Sequence, residues 1–153
     1  MISLIEKIIK RKKYMEETFY LAVSICDRYL FFIISEKIEL PCLVTLIVTA
    51  IFLAAKIEQP LSPNLNKMIH LAYNKLKVDI SRSKIIDLEW SIISALDFSL
   101  RYTSPLMFLS RLLRLQNLDS YSKDPSAETV DIKARIFCRT LLRSKAYLTM
   151  KPS

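Results

Sequence analysis

Apolar residues recur along this chain at intervals of three and four, and prolines fall between the periodic stretches rather than inside them. That pattern predicts helices near residues 2–13, 16–34, 41–57, 64–76, 82–96, 105–116 and 128–147. No two segments carry the alternation and two-residue turn of a β-hairpin, so the fold class read from the pattern is all-α. In the fourth segment Leu65, Met68, Ile69, Ala72, Tyr73 and Leu76 form one stripe. In the second, Phe19, Ala22, Val23, Cys26, Tyr29 and Leu30 form another, with Asp27 and Arg28 set among apolar neighbours. The third is apolar nearly all round from Pro41 to Ala55 and must be enclosed by the others. At 15 residues it falls short of the roughly 20 needed to cross a bilayer. A helix buried at the centre of a bundle accounts for it, and no membrane contact is expected.

The prolines sharpen the boundaries. Ser62-Pro63 and Ser104-Pro105 each read as an N-cap followed by proline in the first turn, where no amide bond is lost, and Asp124-Pro125 repeats the signal. Residues 117–127 (NLDSYSKDPSA) are the one polar, turn-rich linker, lying between the sixth and seventh predicted helices.

Composition removes several classes of chemistry. The 153 residues include no glycine, which leaves phosphate loops, dinucleotide fingerprints and nucleophile elbows without their usual material. The three cysteines, Cys26, Cys42 and Cys138, are odd in number and widely spaced, which suits a reducing compartment better than a disulfide framework or zinc ribbon. The N-terminal stretch puts its basic run after the apolar residues, the reverse of a signal peptide. The single histidine, His70, has no acidic or cysteine cluster around it and reads as a packing or surface residue. Asp87 and Glu89 are two apart on a helix and so face different ways. No catalytic group, metal site or cofactor site is read from the sequence, and the chain is not expected to be an enzyme.

A net charge of +8 favours an acidic partner. The basic runs Lys10 to Lys13 and Arg135, Arg139, Arg143 lack the interleaved aromatics of a stacking platform, so solvated faces describe them better than a nucleic-acid site. Two single charges are more informative. Lys56 follows Thr49, Phe52 and Leu53 on the apolar side of the third helix and emerges at its C-terminal end, either to cap that end or to meet a partner. Glu89 lies among Ile85, Ile86, Ile92 and Ile93, either paired with a lysine such as Lys84 or held for recognition. Asp27-Arg28, a third candidate, is explained by helix packing if the charges are paired.

Taken in order, Glu17-Thr18-Phe19-Tyr20-Leu21-Ala22-Val23 running into Asp27-Arg28-Tyr29-Leu30, then Ala54-Ala55-Lys56-Ile57-Glu58, Leu88-Glu89 and Leu96-Asp97-Phe98-Ser99-Leu100 resemble the cyclin box over about residues 14–109. A weaker resemblance continues in Ser104-Pro105-Leu106-Met107-Phe108-Leu109, similar to the opening of a second cyclin fold, and in Ala146-Tyr147-Leu148. The resemblance implies a five-helix bundle around a buried central helix over residues 1–104, its first helix partly missing, followed by a partial second cyclin fold of two helices over 105–153.

It also implies a function. In cyclins, a lysine and a glutamate matching Lys56 and Glu89 hold the kinase segment leading into the kinase's mobile helix, amid an apolar groove matching Leu53, Ile57, Ile93, Leu96, Phe98 and Leu100. The expected partner is therefore a cyclin-dependent kinase catalytic subunit, in the nucleus or cytoplasm, with the chain as its activating regulatory subunit in cell-cycle or transcription control. Two other readings remain at this point: a cyclin-fold nucleic-acid or transcription-complex module, and a truncated cyclin without activating function. The chain departs from the family pattern in several places, among them a loop to Glu89 some residues longer than in mitotic cyclins. The chain starts at Met1-Ile2-Ser3-Leu4, inside the first helix, where the family's substrate-docking motif would precede. The arginine of that motif would pair with the aspartate matching Asp27, so Asp27 is expected to find another partner, Arg28 or a nearby lysine, and the usual Phe-Glu-Glu after the lysine is Ile57-Glu58-Gln59.

Overall fold

The structure, a computed structural model, describes residues 1–76, 78–116 and 125–142. It contains seven helices and no strand among those residues: α1 (Ile2–Lys12), α2 (Glu16–Ser35), α3 (Leu43–Glu58), α4 (Leu65–Leu76), α5 (Arg82–Ala95), α6 (Pro105–Leu115) and α7 (Pro125–Leu141). They divide into two compact units, Met1–Tyr102 and Thr103–Ser153.

In the first unit α3 is the axis. Every residue from Thr45 to Ala55 is buried, because α2, α4, α5 and α1 all pack against it. The two threonines within this apolar run sit there at little cost: Thr49 Oγ1 donates to the Thr45 carbonyl at 2.9 Å, so its hydroxyl remains satisfied. Beside it, α2 departs from the single stripe read in the sequence, since Thr18 to Cys26 is buried on all sides. Among the described residues α2 alone is long and apolar enough to cross a bilayer, yet most of it is enclosed by protein, the environment of a core helix. Two side-chain bonds fix the register of these elements. Tyr29 Oη and Ser91 Oγ lie 2.9 Å apart between α2 and α5, and Gln59 Nε2 donates to Thr18 Oγ1 at 2.6 Å between the end of α3 and the start of α2.

The caps refine the proline-based boundaries. Ser104 behaves as expected, its Oγ accepting from the Met107 amide at 3.3 Å. Ser62 does not cap α4. The helix starts two residues later than Pro63, and Asn64 Oδ1 takes the capping role by accepting from the Lys67 amide at 3.1 Å. Ser81 caps α5 in the same way through the Lys84 amide, a signal that serine without a following proline leaves unmarked. Asp124 and the expected continuation of the last helix through residue 147 lie outside the described residues.

Without glycine, the helix C-termini put other residues into the left-handed region. Lys13 (φ 54°), Lys37 (φ 54°) and Asp97 (φ 48°) do so, each followed by an amide that closes back five residues: Tyr14 to Ile9, Ile38 to Ile33 and Phe98 to Ile93, at 3.1, 3.0 and 3.0 Å. These are Schellman closures, normally assigned to glycine. At the end of α5 a second residue, Phe98 (φ 58°), follows Asp97 into the same region.

In the second unit α6 and α7 pack together around Leu106, Leu113, Ala127 and Leu142. Asp131 is buried there and accepts from Arg135 Nε at 2.6 Å. Phe108, Leu115, Ile136 and Phe137 are each more than half exposed.

Candidate functional site

The site is built where the C-terminal turn of α3 faces the outer side of α5. The isoleucines of α5 separate the two sides of that helix: Ile85 and Ile92, seven apart, are fully buried, whereas Ile86 is 47% exposed. Glu89 lies on the same turn as Ile86 and points toward α3. Its Oε1 accepts from Lys56 Nζ at 2.5 Å, across 33 positions of sequence. Lys56 therefore does not cap α3, and Glu89 does not pair with Lys84; the two charges isolated in the sequence meet each other.

The pair is partly shielded. The Lys56 side chain is 39% exposed and that of Glu89 15%, and the ammonium stands 4.3 Å from the centroid of the buried Phe52 ring. Beside it opens a cavity of about 470 Å³, bordered by Phe52, Lys56, Ile86 and Glu89, by Arg82 at the start of α5, and by the chain from Pro63 to Asn66. An ammonium has three donors and a carboxylate four acceptor positions, so one mutual bond leaves both groups able to bind a further polar chain.

The apolar positions read from the sequence divide by depth. Phe98 is 67% exposed, and Ile57, Ile93 and Leu100 are half-buried. Leu53 and Leu96 are buried, at 3% and 8%, and support the surface from beneath rather than forming its face. Sequence reasoning missed Trp90, 64% exposed, whose indole packs edge-on against Phe98 with centroids 6.1 Å apart. Its signal was present: Trp90 follows Ile86 by four residues and stands next to Glu89, on the outward row of α5. Phe52, Ile86 and Arg82 were likewise not singled out as lining the site.

Asp27 and Arg28 do not pair with each other. Arg28 Nη2 donates to the carbonyl of Ser99 at 2.5 Å, tying α2 to the turn that carries Phe98. Asp27 has no hydrogen-bond or ion-pair partner among the described residues, and desolvation pushes its carboxyl above the usual aspartate value. His70 lies on the surface of α4, its Nε2 2.8 Å from Asn74 Nδ2. Among the described residues no group of three His, Cys, Asp or Glu side chains converges as a metal site.

Residues 1–101 match the family described as "Cyclin, N-terminal domain". The chain belongs to the cyclin family. Cyclins are regulatory subunits, not enzymes. This cyclin is 34% identical over 109 residues to the G2/mitotic-specific cyclin-B of Emericella nidulans, a span covering 71% of this chain and 21% of that protein. It is 35% identical over 112 residues to the G2/mitotic-specific cyclin-B of Dictyostelium discoideum, covering 72% and 24% respectively. A longer match, 137 residues at 28% identity, joins it to the G2/mitotic-specific cyclin-B3 of Gallus gallus, covering 90% of this chain and 30% of the other. The matched span is thus less than a third of the length of these relatives. No solved structure matches the chain at a significant level. The all-α bundle expected from the resemblance is the fold found, with α3 as its buried central helix.

Proposed function

We propose that this cyclin binds and activates a cyclin-dependent serine/threonine kinase through the surface around Lys56 and Glu89. The observation that carries the reading is the ion pair itself. Two charges from separate helices are held together beside a cavity, and the helix that supplies Glu89 also carries Trp90, whose exposed ring packs against that of Phe98.

A kinase's mobile helix must be held inward for its glutamate to pair with the ATP-binding lysine. A rigid surface that favours the inward position shifts that equilibrium by its differential affinity for the two states. Lys56 would donate to carbonyls of the segment leading into that helix, and Glu89 would accept from its amides. Trp90, Phe98, Ile57 and Ile93 would add apolar contact, with aromatic anchors contributing most. The names of the G2/mitotic relatives support a role at that stage of the cell cycle. We assign the protein to the nucleus or cytoplasm, where such a kinase would be met, and read α6 and α7 as the opening of a second cyclin fold.

The test is a pull-down against a panel of kinase catalytic subunits, with Lys56→Ala plus Glu89→Ala as the comparison. Binding should fall by about 30-fold or more, as expected for interface residues contributing about 2 kcal/mol. Undiminished binding by a folded double variant would remove the assigned surface. Kinase activity measured on the same complexes separates activation from binding alone. The nucleic-acid reading is not favoured, because the Arg135 guanidinium of the arginine face is engaged by buried Asp131.

A further inference from the structure

A second cavity, of about 570 Å³, lies between the C-terminal end of α1 and the N-terminal half of α4. Its chemistry differs from that of the site above. Arg11 and Lys12 border it from α1 and Lys67 from α4, and no carboxylate lines it. None of these three cations has an ion-pair partner among the described residues; Lys12 Nζ instead donates to the backbone carbonyl of Lys67 at 3.3 Å. Glu6 of α1 is engaged by Lys10 at 2.9 Å instead. Three like charges around one concavity repel one another, and both burial and the charge of Lys67 push the Lys12 ammonium below its usual value. An anion seated among them would reverse that cost.

We propose that this cavity binds a phosphate group carried on a peptide side chain. The cations converge on one concave place from two helices, which suits a compact dianion with three acceptor oxygens. Asn66 and Lys67 belong to the first turn of α4, which places the cavity along the N-terminal half of that helix. His70 and Asn74, bonded to each other at 2.8 Å, continue the polar wall one and two turns further along, and Leu71 supplies an apolar side against which a peptide can lie. A nucleic-acid strand would call for a different surface, a track of cations spaced along repeated phosphates with aromatic rings for the bases. No phenylalanine, tyrosine or tryptophan lines this cavity.

The test uses the full chain and fluorescein-labelled short alanine-rich peptides containing a single phosphoserine or, as control, serine. The phosphoserine peptide should bind about 10-fold or more tightly than its serine counterpart, with inorganic phosphate competing for the shared chemistry. Arg11→Gln plus Lys67→Gln should remove that preference, while Lys7→Gln plus Lys37→Gln, an equal loss of charge at exposed positions outside the cavity, should retain it. Four results would overturn the assignment: equal binding of the two peptides, equal losses in the two double variants, no competition by phosphate, or stronger binding of a short single-stranded oligonucleotide that depends on Arg11 and Lys67. Asn66 borders both cavities and is left unchanged, so this outcome is independent of kinase binding at Lys56 and Glu89.

Discussion

The guanidinium of Arg28 donates to the main-chain carbonyl of Ser99 at 2.5 Å, so a residue in the middle of α2 fixes the turn immediately after the exposed ring of Phe98. The bond spans 71 positions and is charge-assisted. Arg28→Ala should therefore lower stability by about 1–2 kcal/mol, measured by urea denaturation, and should also weaken kinase binding by loosening the Phe98 turn. Arg28→Lys should recover little of either, because an ammonium on a flexible stem does not reproduce the fixed planar donors. If Arg28→Ala left both properties at the wild-type level, the turn would be held by its own backbone bonds alone.

Phe98 and Trp90 offer a separation of recognition from folding. Both rings are mostly exposed, so little of their area supports the core. Phe98 also occupies a left-handed conformation that glycine adopts more easily. Phe98→Gly is expected to stay within about 1 kcal/mol of the parent in stability, and Trp90→Ala likewise. Each should nevertheless cost about 10-fold or more in kinase affinity, read by surface plasmon resonance. Leu96→Ala makes the opposite case. Its side chain is buried, so the variant should lose about 2–4 kcal/mol of stability, with any binding loss following from that.

How much of this was legible in the sequence depends on the range of the interaction. The buried axis α3 could be read directly, because a helix apolar on every side has to be enclosed. Lys56 and Glu89 stood out as charges on apolar rows, but each was given a local alternative, a cap for one and Lys84 for the other. Their meeting depends on the angle at which α5 crosses α3, which no spacing within either helix encodes. The same limit applies to Arg28, whose partner is a backbone carbonyl and so carries no side-chain signal. Trp90 was missed for another reason: apolar periodicity assigns a large ring to the core, whereas here Ile85 and Ile92 fill that side and the indole faces out. The α4 start went wrong locally, where Asn64 outcompeted Ser62 as the cap.

The cysteines should differ sharply in reactivity. Cys26 is fully buried in α2, and its thiol is pushed up to about 12, first by burial and then by the charge of Asp27. Cys42 is exposed at the N-terminus of α3, where the amide and hydroxyl of Thr45 and the amide of Val44 stabilise its thiolate and lower its pKa. In a timed alkylation with iodoacetamide near neutral pH, followed by peptide mass spectrometry, Cys42 should be modified first. Cys26 should react only on unfolding, and comparable rates for the two in the native protein would contradict the packing described for α2.

Asp27 gives the protein a pH dependence opposite to that of a salt-bridged carboxylate. Asp27 is exposed at the surface of α2, but the packed helices around it partly desolvate its carboxyl and raise its pKa in the folded state above the unfolded value of 3.8, a small effect that solvent screens and that no cation among the described residues offsets. The folded state thus binds this proton more tightly than the unfolded state. The Asp27 contribution to stability accordingly falls as pH rises from the unfolded value through the folded one, and stays low above it. Asp27→Asn keeps the shape and removes the charge, so it should stabilise the protein at about pH 7 and lose that advantage at about pH 3, where both proteins are neutral at this position. Urea denaturation of the two proteins at both pH values measures the difference directly. A gain of equal size at low and neutral pH would mean that the asparagine acts through a new hydrogen bond rather than by removing a desolvated charge.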